Sequence, residues 1–184
     1  MSANSTAEMR AIEALRGVSE PAVAHGLGRA QYLTFMLGGE MFAVGILAIK
    51  EIIEYSKLTQ VPMMPPYVRG VINLRGAAVP VVDLSARFGR QATEADRRTC
   101  IVIVEMAVGA GRQVVGLLVD AVNEVLDIAD AEIEPAPAFG TRIRNDFIAG
   151  IGKVAGNFVI VLRVERLLSE EEAGTLAQGA RPTH

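Results

Sequence analysis

The clearest statements this chain makes are negative ones. Tryptophan is absent, and three tyrosines and six phenylalanines are spread over 184 residues, too few for a base-stacking platform. The formal net charge is −3 with a pI near 5.5, so the basic stripe of a nucleic-acid binder is missing. A single cysteine, Cys100, excludes an internal disulfide and suits a reducing cytoplasm. Within Cys100-Ile101-Val102-Ile103-Val104 it reads as a small buried hydrophobe. The two histidines, His25 and His184, have no Cys or His partner at metal-ligand spacing, so no metal is expected. About half the residues are hydrophobic, yet no run approaches the roughly 20 apolar residues of a membrane span. No charged start followed by an apolar stretch marks a secretory signal.

Catalytic patterns are equally scarce. There is no GxxxxGK[ST] phosphate loop and no GxSxG elbow, and Gly26-Leu27-Gly28 and Gly150-Ile151-Gly152 are isolated glycine pairs. No histidine in the folded part is available as the base for a serine. Glu132 and Glu134 would share one side of an extended chain, which reads as a solvated face rather than an acid/base pair. Asp120 and Asp127 lie near apolar strand ends, where turn or capping roles suffice. The sequence therefore predicts no enzyme and no cofactor.

What is present is a succession of short β patterns. Residues 69–84 read RGVINLRGAAVPVVDL, two β-branched runs around Arg75 and Gly76. Gly76 gives the backbone freedom for a sharp reversal, which presents the Arg75 guanidinium to solvent. A cation on a rigid loop recognises something anionic. Residues 32–37 and 41–46 alternate around Gly38-Gly39-Glu40, a hairpin signal. Residues 49–54 form a short element of open type, and Pro62, Pro65 and Pro66 predict a bent connector. Residues 83–89 predict one or two helical turns ended by Gly89, and 90–98 a polar, exposed stretch. Residues 99–106 and 113–122 read as strands, with 125–128 extending or pairing with the same sheet. Residues 134–140 predict a rigid loop ending in an aromatic. A last hairpin is predicted over 147–164 around Gly156-Asn157, then a helix over 165–173.

Eight or nine short strands with frequent turn signals and no long crossover helices point to antiparallel barrels or sandwiches. Residues 1–30 predict a mobile tail with a short helix, 31–169 the folded domain, and 170–184 a polar tail. Glu51 and Arg75 read either as an ordinary surface pair or as the polar rim of an apolar groove that receives a helix. Phe139 reads as a core plug or as an exposed anchor. A small β-barrel that encloses a ligand remains an open alternative at this level.

The run Gly70-Val71-Ile72-Asn73-Leu74-Arg75-Gly76-Ala77-Ala78-Val79-Pro80-Val81-Val82-Asp83-Leu84 closely resembles the signature of the CheW family of bacterial chemotaxis adaptors. Blocks 42–51, 114–122 and 134–139 agree with it in order and spacing, so the likeness covers roughly 31–168. The resemblance implies a mainly β fold of two five-stranded SH3-like barrels over a shared core, with short helices and a C-terminal helix. It implies an adaptor joining the cytoplasmic tip of a chemoreceptor (a methyl-accepting chemotaxis protein) to the regulatory domain of the histidine kinase CheA. The two alternate in rings that build receptor arrays, and neither cofactor nor metal is expected. By position, Ile49, Glu51, Asn73 and Arg75 match the family's receptor-facing groove. Gly70 and Gly116 match glycines that support the groove or the kinase contact, and Phe139 falls at a loop that meets the ring neighbour. Gly45 and Glu134 depart from the family pattern, which bears on affinity more than on fold. The chain has no room for the added domains of CheA or CheV, so a stand-alone cytoplasmic adaptor is expected, in flagellar chemotaxis or in another chemosensory pathway.

Overall fold

The structure, a computed structural model, describes residues 28–136 and 143–180. The N-terminal segment 1–27 and Phe139 lie outside the described residues. Eleven strands are described: β1 (Arg29–Leu37), β2 (Glu40–Gly45), β3 (Ile49–Glu54), β4 (Val68–Leu74), β5 (Ala77–Asp83), β6 (Cys100–Val108), β7 (Gly111–Val119), β8 (Ala121–Ala129), β9 (Ile133–Glu134), β10 (Ile148–Val154) and β11 (Asn157–Leu162). They form two curled sheets. The first has the order β8-β1-β2-β11-β10-β9 and the second β3-β6-β7-β5-β4. This is the mainly β, SH3-like double-barrel architecture that the family resemblance implies, except that the first sheet has six strands where five were expected, the outermost being the two-residue β9. The strand count exceeds the expected eight or nine partly because the apolar run 113–122 is two strands. A single residue, Asp120, separates β7 from β8. β8 then pairs with β1 in the first sheet rather than extending the second.

Period-2 sorting explains why these strands are apolar on both faces. In β6, Cys100, Val102, Val104 and Met106 join a large core shared by both sheets, while Ile101 and Ile103 join a second cluster with Val79, Val81 and Leu118. β11 sorts likewise, with Ile160 and Leu162 in the shared core and Val159 and Val161 in a third cluster with Ala43. Each sheet thus has its own interior and one face against the other sheet. Phe35, Phe42, Phe88 and Phe147 run through the shared core in successive ring contacts of 6.1, 5.9 and 5.4 Å.

The C-terminal helix starts later than the sequence predicts. Residues 164–166 form a 3₁₀ turn, and the α-helix spans Glu170–Ala180. A capping box sets this boundary, with the Ser169 hydroxyl accepting the Glu172 N–H at 3.0 Å and Glu172 accepting the Ser169 N–H at 2.9 Å. With α1 a four-residue turn (Leu84–Arg87), this helix is α2. Ala173 and Leu176 are buried in the shared core, so part of the predicted polar tail is a docked helix. Arg87 anchors it, bonding the Leu167 carbonyl and Glu172 at 2.8 Å each beneath the Tyr67 ring. Burial works against the Glu172 carboxylate, but the Ser169 amide, Arg87, the Ser169 hydroxyl and Tyr67 outweigh it and hold its pKa below the usual range. Burial, then the nearby Glu172 charge, pushes the Tyr67 phenol up to about 12.

Candidate partner-binding site

The β4–β5 hairpin closes with Leu74 opposite Ala77, leaving Arg75 and Gly76 as a two-residue turn. Their φ values are 53° and 86°, the pattern of a type I′ turn, which needs left-handed backbone at both positions. The sequence points to Gly76 for this freedom; the structure demands it of Arg75 too. Asn73 Oδ1 accepts the Gly76 N–H at 3.0 Å and fixes the turn. The Arg75 side chain is 78% exposed, and its Nη1 reaches Glu51 Oε2 at 2.6 Å.

Glu51 lies on β3, which with β4 forms the two edges of the second sheet. Curling brings these edges together. Thr59, in the connector after β3, exchanges backbone hydrogen bonds of 3.0 and 2.7 Å with Val71 on β4. The Arg75–Glu51 pair spans the same seam. Ile49 opens β3, half-buried against the shared core, and Lys50 sits at a bulge between Ile49 and Glu51. Lys50 bonds Glu105 at 3.1 Å, and Arg112 bonds the same carboxylate at 3.0 Å. The structure therefore brings Glu51 and Arg75 into contact, uses Asn73 to build the turn, and places Ile49 two residues along β3.

The two glycines are packing positions. Gly70 has φ +151°, and a Cβ there would lie 2.6 Å from the Thr59 carbonyl oxygen, so only glycine lets the seam close. At Gly116 a Cβ would meet Ile101 Cγ2 at 2.7 Å and Val81 Cγ2 at 3.2 Å, inside the second sheet's own cluster.

Sequence reasoning missed the polar hub behind the hairpin. Asp83 is fully buried. Its Oδ2 accepts from Arg69 Nη1 at 3.0 Å and from the Thr93 N–H at 2.8 Å. Its Oδ1 accepts the Thr93 hydroxyl at 3.0 Å and the Ala86 N–H, at the start of α1, at 3.3 Å. Thr93 Oγ1 also lies 3.3 Å from Asp120 Oδ1, and Asp120 Oδ2 accepts the Gly38 N–H at 2.8 Å. The expectation that 90–98 is wholly exposed fails at Thr93, which the hub buries. The available signal was Asp83 itself, an acid ending an apolar strand.

Among the described residues no group of three or more His, Cys, Asp or Glu is placed to hold a metal, and no helix is long and apolar enough to cross a membrane. What the arrangement offers is display: a charged pair and a turn arginine on a rigid double barrel. Fold and site define a mainly β double-barrel module with an exposed charged pair on one seam. The CheW-like domain model matches residues 31–172. Chemotaxis protein CheW of Rhizobium meliloti is 36% identical over 145 residues, covering 79% of this chain and 91% of that protein. The Klebsiella aerogenes protein of the same name is 34% identical over 142 residues, covering 77% and 83%. The crystal structure of the scaffolding protein TtCheW from Thermoanaerobacter tengcongensis superposes with a TM-score of 0.69 at 34% identity, covering 78% of this chain and 90% of that one. The chain belongs to the CheW family, and chemotaxis adaptors are its class.

Proposed function

We propose that this protein couples a chemoreceptor to the histidine kinase CheA in the cytoplasm, holding both in one array. Residues 31–169 would do this work, with Ile49, Glu51, Asn73 and Arg75 facing the receptor tip and the loop of Phe139 facing a ring neighbour. Gly70 and Gly116 would support these faces from within. The observation that carries the reading is Arg75 itself, a strained and exposed residue held beside Glu51 at the barrel seam. Simultaneous binding raises the effective concentration of receptor and kinase and fixes their relative geometry. A receptor shift then changes the kinase's active fraction through contacts that differ between signalling states. The test is a pull-down of Arg75→Glu on a receptor cytoplasmic fragment. Receptor capture should fail while the thermal unfolding midpoint is kept. Full capture by the folded variant removes Arg75 from the receptor face.

A further inference from the structure

Beside the β4–β5 turn the second sheet comes apart. β5 and β7 run parallel, but their ladder covers only Val81↔Gly116, Val82↔Leu117 and Asp83↔Leu118. Pro80 ends it, because proline has no N–H to give to β7. Ahead of that point a cleft of about 460 Å³ opens between Ala77 and Ala78 on β5 and Arg112, Gln113 and Val114 on β7.

The strand register says what faces this cleft. Leu74 and Ala77 close one two-residue turn, and Val108 and Gly111 close another. Each is a hydrogen-bonded pair, and bonding alternates along the strands from there. Asn73↔Ala78 and Val71↔Pro80 are then non-bonded pairs, as are Ala107↔Arg112 and Glu105↔Val114. Val71 agrees with this phase, since its N–H and C=O turn away from β5 to Thr59. Ala78 on one wall, and Arg112 and Val114 on the other, therefore aim backbone N–H and C=O groups into the cleft beyond the end of the ladder. On the same wall Gln113 Nε2 is buried with no hydrogen-bond partner, a state that proteins keep for few groups.

We propose that the cleft is a docking slot for a short extended segment of a protein partner, entering as a strand between β5 and β7. Two facing rows of main-chain donors and acceptors are matched by extended backbone; a helix consumes its own N–H and C=O groups internally. The alanine and glycine lining lets a second backbone approach closely. The idle Gln113 donor calls for an acceptor oxygen on the segment. Arg112 stands on the opposite face of β7 from Gln113 and has guanidinium donors beyond the one that Glu105 takes, so a neighbouring residue of the segment is best an aspartate or glutamate. The segment is thus extended, acidic, and free of proline where it faces Ala78 and Val114. Asn73 and Gly76 of the turn also line the cleft, so the slot adjoins the proposed receptor face; Gln113→Met leaves Glu51, Asn73 and Arg75 in place, so loss of peptide binding with receptor capture kept separates the two.

The probe is a phage-displayed library of random heptapeptides selected on the full chain. Enriched peptides should carry an acidic residue, and their binding should protect the Ala78, Arg112 and Val114 amides from hydrogen exchange. Ala78→Pro deletes the N–H in the slot while leaving the β4 ladder whole, as Pro80 already does, and should abolish binding. Gln113→Met keeps the shape without the donor and should weaken binding roughly five- to tenfold. Absence of any enriched peptide, protection confined to other amides, or unchanged affinity in the variants overturns the proposal. If Ala78→Pro does not fold, Gln113→Met decides alone.

Discussion

The β1–β2 and β4–β5 hairpins share a turn geometry and differ in what they place there. Gly38 and Gly39 have φ of 55° and 83°, and Arg75 and Gly76 have 53° and 86°. Both turns are pinned from behind by a side chain, Asp120 on the Gly38 N–H and Asn73 on the Gly76 N–H. The glycine pair adopts this backbone without a steric penalty, whereas the arginine carries about 1 kcal/mol of it. The Ala155-Gly156 turn, at 51° and 82°, shows that a small residue also fits. Ala155 bears the same backbone strain as Arg75, so strain does not set the turns apart; what distinguishes the β4–β5 turn is the exposed cation it places beside Glu51.

The largest effect on this comparison should come from Asp83→Ala, because the hub stands behind both hairpins. Removing the carboxylate strands the Thr93 N–H and leaves Arg69 only the Thr93 carbonyl, and should lower unfolding free energy by about 3 kcal/mol. Urea midpoints measure this, and a loss under 1 kcal/mol would contradict the network. Gly116→Ala crowds Ile101 and Val81 and should destabilise by about 1–3 kcal/mol, with amide exchange accelerating in the second sheet. Gly38→Ala imposes on the first turn the strain that the second tolerates, about 1–2 kcal/mol; an unchanged thermal midpoint would mean that the turn is not left-handed. Arg75→Asn relieves the second turn while losing an exposed ion pair that contributes at most about 1 kcal/mol. Its stability should hold or rise slightly while receptor capture drops, a split that a merely structural arginine would not produce.

The mildest perturbation touches neither turn. Glu172 has a depressed pKa in the folded state, so its contribution is present above the unfolded carboxylate value. It is lost as pH falls through the folded value. Acidification below about pH 4 should speed exchange at the Ala173 and Leu176 amides before the hairpin amides respond. Simultaneous release would show that α2 is not anchored by Glu172.

Much of this was legible because period-2 runs and glycine turns are local signals. The hairpins at Gly38-Gly39 and Arg75-Gly76, the proline connector and the short helix after Asp83 all follow from neighbouring residues. The Ala155-Gly156 turn came out one residue early, since Gly156-Asn157 carries an equally good turn signal and only the cross-strand register separates them. The break at Asp120 was invisible because apolar residues continue on both sides while the chain changes sheets. Thr93 was missed for the same reason in reverse: it lies in a polar stretch, and its partners are 10 and 27 residues away. Glu51 and Arg75 could be read as a candidate pair, but their 2.6 Å contact depends on the curl that joins two sheet edges. The helix boundary depended on the Ser169–Glu172 box, which the run of glutamates at 170–172 obscured.

Asp120 has a mechanical consequence. It is the single residue by which the chain steps from the second sheet to the first, the natural place for a pivot between the barrels. Its carboxylate is gripped on both sides, by the Gly38 amide of the first hairpin and the Thr93 hydroxyl of the hub. A swivel at that joint would have to break both grips at once. The one step of the chain from the second sheet to the first is thus tied at the same carboxylate to the first hairpin and to the buried hub.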